Sequence, residues 1–173
     1  MVDALRTQRR VGATVIVLLS LLVVGLQFAR GHRQRDRQMT AAFEQLAQAD
    51  AATPAMRADF WREAQRQFGR SAAIVSLEPQ AMLGVALTES WLDAPQPLPV
   101  CLPAAATQQG ATEQELITIV GNCLRARQPE QVLAWGQLAG VTRHGGDLAQ
   151  SIAFAAAWQQ ARDGQKFAKL PKN

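Results

Sequence analysis

The chain has 173 residues, 48% of them hydrophobic, with a formal net charge of +4 at pH 7. Seven of its 18 Lys and Arg flank one apolar run, while residues 38–173 carry 11 basic and 12 acidic side chains. That near-neutral body, without a basic stripe interleaved by aromatics, argues against nucleic acid as a partner.

Residues 11–29, VGATVIVLLSLLVVGLQFA, hold no ionisable side chain. As a helix rising about 1.5 Å per residue they reach roughly 28 Å, close to the thickness of a bilayer's hydrocarbon core. A helix satisfies its own backbone, which is the condition for crossing lipid. The expectation is an uncleaved transmembrane anchor in contact with the lipid bilayer. The rival is a cleaved leader, but secretory apolar cores run to about 7–15 residues and need a small-residue cleavage site. Gln27-Phe28-Ala29-Arg30 is a poor one.

Arg6, Arg9 and Arg10 precede the span, and Arg30, Arg33, Arg35 and Arg37 follow it, so positive charge barely chooses an orientation. Both cysteines, Cys101 and Cys123, lie beyond the span. A lone pair in a small extracytoplasmic domain reads as a disulfide, against the alternative of two unrelated buried thiols. The expected topology is single-pass in a bacterial inner membrane, with the N-terminus cytoplasmic and the body periplasmic.

Downstream the pattern is helical throughout. A polar, Ala- and Gln-rich helix at 38–49 carries Phe43 and Leu46 and extends the anchor as a stalk. Thr53-Pro54 starts a second helix with proline at its first position. Met56, Phe60, Ala64 and Phe68 then form one apolar stripe at i+4 spacing, and Gly69 is the expected end. Pro79 opens a helix over 79–92 with Met82, Leu83, Ala86 and Leu87 on its apolar side. Residues 94–111 are proline-rich and read as a loop, pinned if Cys101 is bridged. Thr112-Glu113-Gln114-Glu115 is a capping box. The helix it opens, 112–126, should bury Leu116, Ile117, Val120, Cys123 and Leu124. Pro129 begins a helix to about Thr142, ended by Gly145-Gly146. An Ala-rich helix at 147–162 follows, closed by Gly164. The resulting division is a short tail (1–10), the span (11–29), a basic stalk (30–52), a helical periplasmic domain (53–165) and a basic tail (166–173).

Phosphate-loop, zinc-protease and nucleophile-elbow motifs are missing, so no cofactor and no metal are expected. His32 sits among arginines beside the span, as a headgroup contact would. His144 reads as a helix cap. One carboxylate stands out in LEPQAMLGVALTESWLDA (residues 77–94), where Glu89 nears the end of an apolar helix, followed by Ser90 and Trp91. Sheltered against aromatic surface, such a group stays protonated and acts as a general acid. The plainer alternative is a solvated Glu at an exposed helix end.

This stretch resembles the catalytic helix of the soluble lytic transglycosylase family, in which a proline-started apolar helix ends in Glu-Ser. PEQVLAWGQLAGVTRHGGDLAQSIAFAAAW (residues 129–158) resembles that family's later helix pair, with its Gly-Gly-Asp turn and Ala-rich helix. The resemblance implies a lysozyme-like domain acting on peptidoglycan glycan strands. Glu89 would be the lone acid/base, releasing a 1,6-anhydro sugar, and Ser90, Trp91 and Trp158 would shape the glycan subsite. The chain departs from the family in two places. It has no Gly-Leu-Met-Gln segment, and it has no tyrosine with which to make the Ala-Tyr-Asn-Ala-Gly segment. The fold expectation is therefore all-α, a single transmembrane helix followed by a small, lysozyme-like helical domain. The competing expectation is a non-catalytic scaffold subunit that docks other subunits of an envelope complex.

Overall fold

The computed structural model describes residues 2–74, 78–93, 100–102, 112–138 and 146–168, and of residues 2–17, 138 and 165–168 the backbone alone. Among the described residues there are six helices and no strand, in keeping with the all-α expectation. They are α1 (Val2–Ala51), α2 (Pro54–Ile74), α3 (Pro79–Asp93), α4 (Glu113–Arg125), α5 (Pro129–Leu138) and α6 (Asp147–Ala168).

α1 runs unbroken for 50 residues, about 75 Å at 1.5 Å per residue. Its two halves meet opposite environments. From Leu18 to Phe28 every large apolar side chain is at least 50% exposed, on all sides of the helix. From Met39 to Ala49, by contrast, Met39, Ala42, Phe43, Leu46 and Ala49 are buried at three- and four-residue steps. The segment expected as a stalk thus supplies one wall of the core, and a domain starting at residue 53 would lack it. Among the described residues no helix is long and apolar enough to cross a membrane. The predicted span falls partly outside them, because side chains 11–17 are not described.

α2 starts at Pro54 as predicted, and Thr53 O accepts the first backbone N–H bonds, from Met56 and Arg57. Arg57 reaches back to the carbonyls of Ala49 (3.1 Å) and Ala52 (3.2 Å), closing the end of α1. The predicted stripe is corrected here, since Met56 is exposed and the buried positions are Ala64, Phe68 and Ser71. Strict i+4 steps drift around a helix by about 40° each, so only mixed three- and four-residue spacing holds one face. Gly69 does not end α2. It lies on the exposed side while Phe68 and Ser71 stay buried on either side of it, so packing carries the helix through.

α3 lies so close to α2 that a Cβ on Gly84 would stand 2.6 Å from the Phe68 ring. Glycine is what permits that approach. The buried face of α3 is Ala81, Gly84, Leu87, Thr88 and Trp91, whereas Met82 is exposed. The buried Thr88 hydroxyl donates to Gly84 O of its own helix at 2.7 Å.

The capping box of α4 is present: Thr112 Oγ1 accepts the Glu115 N–H, and Glu115 Oε2 accepts the Thr112 N–H at 2.8 Å. Those hydrogen bonds from Thr112 hold the Glu115 carboxyl below its ordinary pKa. Val120, Cys123 and Leu124 are buried as expected, with Leu116 and Ile117 half-buried. Cys123 is bonded to Cys101. Beside it Leu102 O accepts the Trp135 indole N–H at 3.1 Å, so this part of the proline-rich loop is pinned. Replacing both cysteines with alanine, which opens a loop of 22 steps, is expected to cost about 3 kcal/mol. Urea unfolding of the full chain in mild detergent reads it, and unchanged stability would show the bridge to be idle.

α5 is described to Leu138; the rest of its predicted length and His144 lie outside the described residues. α6 runs through Gly164 to Ala168, so that glycine does not close it either.

Candidate functional site

The centre of the domain is aromatic. Phe43, Phe68 and Phe154, from α1, α2 and α6, form a triangle of rings with centroids 5.0 to 5.7 Å apart. From Phe154 the column continues to Trp158 (6.3 Å), then Trp91 (5.4 Å), then Trp61 (5.7 Å). Two guanidinium groups cover its end, Arg162 4.9 Å from the Trp158 ring centre and Arg127 5.3 Å from that of Trp61.

A polar knot ties this end together. One Asp50 oxygen accepts both the Trp158 indole N–H (2.9 Å) and Arg162 Nε (2.7 Å). Arg162 also donates to Glu130 (3.0 Å) and to the Arg127 carbonyl (2.9 Å). Arg127 occupies the left-handed region, φ 59°. Gln128 N–H bonds to Cys123 O and Arg127 N–H to Leu124 O, the helix-ending pair of bonds that usually takes glycine at this position. Arginine stands there instead, with its side chain over Trp61 and its carbonyl on Arg162. Burial, then the charge of Arg57, lowers the Arg127 pKa, against the pull of Asp50. These groups fasten α1, α5, α6 and the α4–α5 turn. The knot is structural, and sequence reading missed it. Its one linear trace is Trp158 and Arg162 four residues apart, the spacing that lays a guanidinium over an indole on one helix face.

Of the residues expected to form a glycan subsite, Trp91 and Trp158 are brought together, but inside the core and without Glu89. Glu89 is exposed near the end of α3. Trp91, one residue from Ser90, points inward: it is 5% exposed and donates its indole N–H to Arg125 O at 2.9 Å. Trp158 is fully buried and packs directly on Trp91, so no cleft separates the two rings. The reason is helical geometry, since consecutive residues diverge by about 100° and cannot share a face.

Among the described residues two grooves are open on the surface. One, of about 490 Å³, lies between α3, α4 and the start of α6, with Leu83, Leu87, Ile117 and Leu124 below and Ser90 and Arg125 at the rim. The other, of about 600 Å³, runs between α1 (Thr40, Glu44, Gln48) and α6 (Ala157, Ala161, Gly164). Glu89 lines neither. Among the described residues no group of three or more His, Cys, Asp or Glu is placed to hold a metal ion. No family model, curated protein or solved structure matches the chain, so the transglycosylase resemblance rests on the residues quoted above.

Proposed function

We propose that the protein is a single-pass, membrane-anchored structural subunit. Its disulfide-bridged helical domain would sit on the periplasmic side of a bacterial inner membrane and dock other subunits of an envelope complex. One observation carries this reading: the exposed apolar stretch Leu18–Phe28 and the core wall Met39–Ala49 belong to the same unbroken helix. An apolar surface on every side of an exposed helix calls for lipid or other helices around it. The Cys101–Cys123 bond fits an oxidising compartment. The two grooves and the Ala-rich outer side of α6 offer docking faces.

Glycan cleavage has less behind it. A lone general acid needs a sheltered carboxyl beside a cleft, and Glu89 is exposed and lines neither groove. Purified sacculi incubated with the full chain and with Glu89→Gln provide the test. Both should leave the wall intact. Release of 1,6-anhydro fragments by the parent, lost in the variant, would replace the structural reading with the enzymatic one.

A further inference from the structure

The anchor and the body are joined without a spacer. Gly31, two residues beyond the predicted span, meets the last turn of α2: a Cβ there would lie 3.8 Å from Ile74 Cγ2. Arg35 then pairs with Glu78 at 2.9 Å, at the entry to α3. Two residues of helix rise only about 3 Å, and the headgroup layer adds roughly 5–7 Å to each side of the hydrocarbon. A body that touches α1 at Gly31 therefore begins inside that layer.

Charge at this end follows the same plan. Arg30, Arg33 and Arg37 of α1 and Arg70 of α2 are all exposed. Along the helix axes they fall within about 12 Å of the hydrocarbon edge, roughly one Debye length at 0.1 M salt. Exposed carboxylates near this level are Asp36 on α1, Glu113 and Glu115 at the start of α4, and Asp147, which starts α6. Arg30 and Arg33 stand nearest the hydrocarbon edge, about 2–6 Å along α1 and below these carboxylates, so the charge closest to the lipid is positive, and Arg35–Glu78 is neutral.

We infer that the base of the domain, formed by the α2 end and by Arg30, Arg33, Arg37 and Arg70, seats directly on an anionic phospholipid leaflet. This rests on the anchored reading above and adds the lipid class and the face that meets it. Phosphate groups of anionic lipids are the partner, attracted to the arginine collar while the apolar helix fixes its height. The domain is thereby held at one distance from the membrane, its Asp50 end facing away.

The full chain with methyl-labelled isoleucine and methionine, in nanodiscs doped with a gadolinium-headgroup lipid, tests this. Ile74 and Met56 stand at opposite ends of α2, about 27 Å apart along its axis, so relaxation enhancement at Ile74 should exceed that at Met56 by about tenfold or more. The Ile74 enhancement should be about twofold larger in discs with phosphatidylglycerol than in phosphatidylcholine alone, and Arg33→Glu/Arg37→Glu/Arg70→Glu should abolish the difference. Equal enhancement at Ile74 and Met56 overturns the seating. A large Ile74 effect indifferent to lipid charge and to the variant overturns the anionic-lipid assignment. A chain that fails to co-elute with discs overturns the anchored reading itself, and is thus told apart from both.

Discussion

Replacing Trp158 with alanine is expected to destabilise the domain by about 4 kcal/mol, a large share of the stability of a domain this size. Trp158 is fully buried between Phe154 and Trp91, under the Arg162 guanidinium. Its removal leaves a cavity where two aromatic contacts and a cation–π contact had met. It also strips Asp50 of one of two donors, with only Arg162 remaining on that oxygen. Trp158→Phe separates the two contributions, because it keeps most of the ring packing and removes the N–H. It should cost about 2–3 kcal/mol, mostly the worth of a hydrogen bond to a charged group with a small volume loss added. Thermal unfolding of the full chain in mild detergent, followed by near-ultraviolet circular dichroism, reads both. Were alanine no worse than phenylalanine, the aromatic column would not be the core.

The starts of helices were legible and their ends were not. Pro54, Pro79, Pro129 and the Thr112–Glu115 box each begin an element where sequence placed it, because a fixed φ or a satisfied orphan N–H acts locally. Gly69 and Gly164 were misread as stops. Each costs only about 1 kcal/mol inside a helix, less than the packing of neighbouring turns returns. Met56 and Met82 show a related failure, since apolar identity alone does not say which side of the helix meets a partner. The helix at 38–49 does continue the anchor, but it also forms a wall of the core, because Met39, Ala42, Phe43, Leu46 and Ala49 are buried where α1 packs on α2 and α6. The Cys101–Cys123 bond was legible, since the chain offers each cysteine a single partner. Which of Glu89, Ser90 and Trp91 share a surface with Trp158 was not legible, because neighbours on a helix diverge by about 100° and their facing is set by packing.

Leu19→Arg/Leu22→Arg should move the full chain out of the membrane while leaving the domain folded. Both leucines are more than half exposed, and both fall near the middle of the apolar run. An arginine at the centre of a spanning helix costs about 2.5–3.5 kcal/mol on the insertion scale, and a lost leucine adds a few tenths more. The pair therefore amounts to about 6 kcal/mol, roughly four orders of magnitude in partition. Alkaline-carbonate extraction of membranes should find the parent and Leu19→Ala/Leu22→Ala in the pellet and the arginine pair in the supernatant. The extracted variant should keep its near-ultraviolet signal, because the aromatic column lies beyond Met39 and shares no contact with Leu19 or Leu22. Retention of the arginine pair would mean that those side chains meet polar partners on neighbouring helices. The apolar surface of α1 would then be an assembly face within a larger complex rather than a surface turned to lipid.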